Sequence, residues 1–180
     1  MSTLSTNSIV PVTGTTVTLG ESGDTISIPA GATITNSGTA NNFGGGKVLQ
    51  ALGATDSTTR TTSSSSWVTA SNTLSVDITP ASTGSKFFIS VSTAIYQGSG
   101  VSGYYTIYRD STNLGHATYG FSTNLVFNST AFNMPIAFSY LDSPNASAQI
   151  TYQFYFKTGG SVSINQNDAK GSITVIEIGA

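Results

Sequence analysis

Apolar and polar residues alternate with a period of two along most of this chain, the signature of strands with one face buried. The clearest run is Lys86-Phe-Phe-Ile-Ser-Val-Ser-Thr-Ala-Ile-Tyr96, and Thr73–Thr79 alternates as cleanly. Thr58–Thr69 is a polar extended run that contains the single tryptophan, Trp67. Further strands are expected at Tyr104–Arg109, Leu114–Tyr119, Met134–Leu141, Ala148–Lys157, Ser161–Asn165 and Ser172–Ile178. Turn-forming residues separate them: Pro80–Gly84, Gly98–Gly103, Asp110–Asn113, Asp142–Asn145 and Gly159-Gly160. About eight to ten strands at roughly ten-residue spacing predict an antiparallel β-sandwich, most simply a jelly roll, because the intervals leave no room for crossover helices.

The first 46 residues differ in kind. They hold no Lys or Arg and are rich in Thr, Ser, Asn and Gly. Short alternating runs recur at Thr16–Leu19, Thr25–Ile28 and Ala32–Thr35, divided by Gly20, Gly23, Gly31 and Gly38. Strands this short cannot bury a face alone, so they predict a β-rich stalk, solenoid-like or interleaved with copies from other subunits, the competing reading being a flexible Ser/Thr arm. The interleaved form suits the length better. Asn41-Asn-Phe-Gly-Gly-Gly46 then reads as a hinge. The expected division is a stalk over 1–46, for attachment and trimerisation, and a sandwich head over 47–180.

Composition strengthens the β reading and narrows function. Ser and Thr supply 56 of the 180 residues, whereas only 14 are charged, far below the usual quarter. Thr, Val, Ile and aromatic residues suit a pleated surface, and few charges are available to solvate helix faces. Eighteen aromatics, most of them after residue 86, argue against disorder. A net charge of −2 with scattered basic residues excludes a nucleic-acid surface. No apolar run is long enough to insert in a membrane as a helix, and the first residues lack the pattern of a secretory signal. The absence of cysteine removes disulfides and thiolate metal sites. Stability must come from elsewhere, and self-association is the expected source.

Candidate chemistry is sparse. His116 is the one histidine, and no serine sits in a nucleophile-elbow pattern, so a catalytic triad is not expected. Asn165-Gln-Asn-Asp168 offers oxygen donors with a single carboxylate, which reads as a polar turn rather than a calcium loop. Asp77, Asp110, Asp142 and Asp168 lie in or beside turns, where capping and solvating those turns accounts for them. No metal or cofactor is expected. Sugar sites combine an aromatic platform with amide and hydroxyl groups, and Trp67, Tyr104, Tyr105 and Tyr119 lie near Asn-rich or Gly-rich loops. These four are the candidate ligand or partner contacts; the competing role is packing in the core or between subunits.

Gly23-Asp-Thr-Ile-Ser-Ile-Pro-Ala-Gly-Ala-Thr-Ile-Thr-Asn-Ser-Gly-Thr-Ala40, the following hinge and Lys47-Val-Leu-Gln50 resemble segments of virion surface proteins of tailed bacteriophages, of the aquatic-phage type. Tyr108-Arg-Asp-Ser-Thr-Asn-Leu-Gly115, Ser139-Tyr-Leu-Asp-Ser-Pro144 and Ser172-Ile-Thr-Val-Ile-Glu-Ile178 extend the resemblance over most of the chain. It implies a homotrimeric, β-rich projection on the virion surface, made in the host bacterial cytoplasm, with no active site to carry over. The partners it implies are copies of itself and the major capsid protein or tail proteins of the particle. Capsid decoration is favoured over a tail fibre or fibre tip that binds a host surface glycan or receptor, because only a stalk and a head are recognisable. A glycan-degrading enzyme is the third reading and the least supported.

Overall fold

The computed structural model describes residues 9–27, 29–33, 47–124 and 130–179. The chain divides into two compact units, Met1–Asn41 and Asn42–Ala180.

In the first unit the turns expected around Gly20, Gly23 and Gly31 are present among the described residues. Gly20, Gly23 and Gly31 have positive φ, the Asp24 amide donates to the Glu21 carbonyl, and the Ala32 amide donates to the Pro29 carbonyl. In the single chain no strand pairing joins its short alternating runs among the described residues. Thr16–Leu19 and Thr25–Ser27 are unpaired, while Ile28, 34–35, Gly38 and the hinge at 41–46 lie outside the described residues. A strand exists through its ladder, and four-residue runs gain too little from one another to form one. Val10, Val12, Leu19 and Ile26 are consequently exposed.

The second unit is an antiparallel sandwich. Its strands are β1 (Val48–Asp56), β2 (Arg60–Thr62), β3 (Ser75–Ile78), β4 (Lys86–Gln97), β5 (Gly103–Arg109), β6 (Thr112–Asn113), β7 (Ser122–Asn124), β8 (Phe132–Asp142), β9 (Ile150–Thr158), β10 (Val162–Ile164) and β11 (Gly171–Ile178). In the first sheet β4 is central. β8 lines one of its edges, and β11 and β10 lie end to end along the other. β1 pairs outside β11 and β2 outside β10. In the second sheet the order is β3, β9, β5, with β6 and β7 sharing the far edge of β5.

Alternation explains the core. Phe87, Ile89, Val91 and Ile95 of β4 face Tyr152, Phe154 and Phe156 of β9 and Tyr105 and Ile107 of β5, all fully buried. Each such side chain contributes on the order of 2 kcal/mol by leaving water. Rings continue from sheet to sheet, with Phe87 against Tyr152 at 5.8 Å and Phe138 against Phe154 at 6.2 Å between centroids.

Two polar devices close this core. Asp142, at the end of β8, accepts two hydrogen bonds from Arg109 Nη1 on β5 and one from the Tyr152 hydroxyl at 2.7 Å, tying the sheets together. Burial, followed by that bond to the carboxylate, pushes the Tyr152 hydroxyl far above the usual phenol range. The second device fills the coincident break between β1 and β2 and between β10 and β11. Asn165, fully buried with φ 53°, accepts from the Thr93 hydroxyl, donates to the Thr58 carbonyl and receives the Thr59 hydroxyl on its own carbonyl.

Two expectations are corrected here. Leu114–Tyr119 is a tight loop rather than a strand, closed by reciprocal bonds between the backbones of His116 and Gly120. Two glycines permit this: Gly115 lies against Thr106, and Gly120 sits at φ 67° under the Tyr105 carbonyl. Asp142 is not a turn-solvating residue but the buried acid just described, because β8 continues through it.

Candidate binding site

The outer face of the second sheet is built by the complement of the core pattern. On β5, Tyr104, Thr106 and Tyr108 point away from the core, Thr106 being covered by Asn113 and Gly115; on β9, Thr151, Gln153, Tyr155 and Lys157 do. Register sets Tyr104 beside Lys157, Thr106 beside Tyr155 and Tyr108 beside Gln153. Tyr108 and Tyr155 stack obliquely at 4.2 Å between centroids, and burial followed by the neighbouring phenol raises the Tyr108 hydroxyl above its ordinary range.

At the other end of these strands, four segments meet. Val68 pairs with Phe156, which brings Trp67 onto the outer face next to Lys157. The indole Nε1 donates to the Ala117 carbonyl at 3.0 Å, bolting the 116–120 loop to the sheet. The Gly120 backbone lies under the indole edge, where a methyl group would strike it. Lys157 Nζ sits 4.5 Å from the Trp67 ring centre and 5.5 Å from that of Tyr104. Tyr119, 54% exposed, lies 6.2 Å from Tyr104 and stacks on His116 at 5.0 Å. Tyr104 and Lys157 line a shallow depression of about 240 Å3 together with Ser65, Thr118, Thr158 and Gly159.

Of the aromatic residues singled out in the sequence, Trp67, Tyr104 and Tyr119 converge at this place. Tyr105 does not. It is fully buried and stacks on Phe154 at 6.2 Å, because alternation along β5 turns it inward when Tyr104 faces out. Lys157 was not among the sequence candidates. Its alternation on β9 signals an outward position, but only the register of β5 against β9 places it beside Tyr104.

The other chemical groups have structural duties. His116 is exposed, and its Nδ1 accepts the amides of Thr118 and Tyr119, holding the loop. Asn165 is consumed by the strand break, and Asn167 and Asp168 continue the turn with positive φ. Asp77 and Asp110 both bind Thr151, one through its hydroxyl and one through its amide. Asp56 accepts from the amides of Thr58 and Thr73 and from Arg60. Burial alone would raise its pKa, but these donors bring it below the usual carboxylate range. Glu177, fully buried, behaves likewise: burial opposes its charge, while Ser85, Gln50 and the amides of Ala81 and Ser82 favour it and lower its pKa. Among the described residues no three His, Cys, Asp or Glu side chains converge.

What the arrangement offers is recognition chemistry: a cation over two π faces, one exposed ring and small hydroxyls around a concavity. No protein-family model and no curated protein matches the sequence. Among solved structures the chain is similar to a mutant VP2 protein of infectious bursal disease virus from derived T=1 particles, at 12% identity and a TM-score of 0.37. It is similar as well to a chain of the Gx strain of that virus, at 13% identity and a TM-score of 0.34. Each match covers 73% of this chain but only 36% and 38% of the other, so the chain spans little more than a third of the length of these neighbours. At these scores the likeness is weak.

Proposed function

We propose that this protein is a non-enzymatic structural component of a bacteriophage virion, a homotrimeric projection that decorates the capsid surface. The observation that carries the reading is the strand order. Taking β1–β2, β6–β7 and β10–β11 as single interrupted strands leaves eight, in two sheets of four. Apart from the β5–β6–β7 excursion, each step to the next strand passes from one sheet to the other. This is the path of two Greek keys, and it supports a jelly roll, the architecture of many capsid and lectin domains. Fold alone does not assign function. The assignment therefore leans also on the sequence resemblance and on the structural employment of the buried carboxylates.

Trimerisation is supported by two surfaces. The apolar side chains of the first unit are exposed in a single chain. In the sandwich, cross-strand rows on the outer face of the first sheet run Ala51, Ile176, Phe88, Leu141 and then Gly53, Thr174, Ser90, Ser139. Interface centres are depleted in charge, and these rows hold none. The test is copy number and position on intact particles, by quantitative protein analysis and antibody labelling. Many copies over the shell are expected, whereas a dozen or so confined to the tail would overturn capsid decoration in favour of a fibre. Light scattering should give three times the chain mass.

The second reading, a fibre or fibre tip that contacts a host receptor, is favoured by the aromatic and lysine cluster on the second sheet. Purified protein that competes with adsorption of the virus would support it.

A further inference from the structure

We infer that the depression lined by Tyr104 and Lys157, with Trp67 and Tyr119 as their ring neighbours, is a binding site for an acidic saccharide, a pyranose bearing a carboxylate. The site stands on its own geometry and holds for either location on a particle.

Three observations carry the assignment. First, Lys157 is held in place but not neutralised. Its ammonium rests over the Trp67 and Tyr104 rings, and the ion pairs among the described residues are Asp56–Arg60 and Arg109–Asp142. The acids of this sheet lie at its other end, where Asp77 and Asp110 bind Thr151. Six residue steps along the strand take Thr151 to Lys157, roughly 20 Å at about 3.3 Å per residue. A fixed cation away from its counter-charges is built to receive an anion. Second, Tyr119 offers an exposed ring braced by His116, and Tyr104 stands beside it. Such rings match the C–H face of a pyranose, which a bare inorganic anion does not possess. Third, Ser65 and Thr118 place short hydroxyls at the rim, suited to the donors and acceptors of sugar hydroxyls.

Trp67 has a positioning role. One face supports Lys157 and its N–H fixes the 116–120 loop, so it orders both sides of the depression. Being the single tryptophan, it also reports on the site.

The experiment is a titration of the full chain with short oligogalacturonate, oligomannuronate and oligosialate, followed by Trp67 fluorescence and calorimetry. The methyl ester of the oligogalacturonate and free acetate serve as controls. Saturable binding of at least one acidic oligosaccharide is expected, with the ester and acetate weaker by about tenfold or more, the effect of losing a charge-assisted contact. Lys157→Gln should weaken binding by a similar factor. Tyr119→Ala, at an exposed position that leaves the fold intact, should weaken it severalfold. Absence of saturable binding to all three acidic oligosaccharides would overturn the proposal. So would equal binding of the ester, acetate competing as well as the sugar, or affinity unchanged in both variants.

Discussion

The two sheets share one core but present opposite outer faces. On the first, the outward positions of β1, β11, β4 and β8 are filled mainly with Ser, Thr, Gly, Ala and a row of alkyl and aromatic residues, with Asn133 and Pro135 on β8, and Lys86 at one end is their single charge. On the second, the outward positions of β5 and β9 carry three tyrosines, a glutamine, two threonines and Lys157, with Trp67 laid against them. Both faces follow from the same alternation. The difference lies in what each can do. A flat ladder of hydroxyl and alkyl groups excludes water well against another such surface, whereas rings around a cation create a localised place for a ligand. Under the proposed function, the first face would serve assembly and the second would meet a ligand.

The largest effect should come from the link that makes the two sheets one unit. Asp142→Ala leaves Arg109 without its carboxylate and removes the acceptor of Tyr152. Breaking a buried pair of this kind costs about 3 kcal/mol or more. Urea unfolding followed both by Trp67 emission, which reports the second sheet, and by far-ultraviolet dichroism should shift in concert. If the two signals separate, the sheets melt as independent bodies and the comparison becomes one of stability as well as surface.

Asn165→Ala tests the first sheet alone. It removes the side chain that bridges Thr93 and Thr58 across the strand break, with an expected loss of about 2 kcal/mol in the same urea experiment. Gly171→Ala should act in the same direction, because a methyl group there would collide with the Asn165 amide oxygen.

Gly120→Ala tests the second face. Its methyl would meet the Tyr105 carbonyl and the Trp67 ring, and its φ of 67° disfavours alanine. A loss of about 1–2 kcal/mol is expected, with a red shift of Trp67 emission as the loop lifts and water reaches the indole. By contrast, Ser90→Ala on the first face should change single-chain stability by less than about 0.5 kcal/mol. Ser90→Glu should leave the fold intact but dissociate the assembly in light scattering, if that face joins the copies.

Acid should act through groups belonging to neither outer face. Asp56 and Glu177 both have folded pKa values below their ordinary ones. Their contribution is therefore complete above the unfolded values, about 4, and is lost as pH falls through the lower folded values. Thermal unfolding at a series of pH values should show the melting temperature falling steeply below about pH 4. The Asp56→Asn, Glu177→Gln double variant should start lower and fall less.

Much of the sandwich was legible in the chain. The strand at Lys86–Tyr96 is β4 within a residue, and Gly159-Gly160 and the segment after Asp142 separate the strands, the latter one residue later than expected. β1 was harder to see because its apolar positions carry no clean period, and β7 because three residues leave too little pattern. The candidate site was legible in part. Trp67, Tyr104 and Tyr119 were recognisable by residue type and neighbouring loops, but Tyr104 and Tyr105 are adjacent and chemically equal. Which of them faces the core depends on the phase of β5 against β9, a long-range fact.

By itself, then, the sequence determined the class of fold, the positions of most turns, the lack of charge and the alternation that makes two faces for every strand. These are local properties, written in residue type and period. Tertiary structure decided which strands became neighbours, which phase of each turned inward, and that Lys157 would stand between Trp67 and Tyr104. It also decided that Asp142 and Asn165 would be buried, because a polar group is drawn inside only where partners from distant segments can satisfy it.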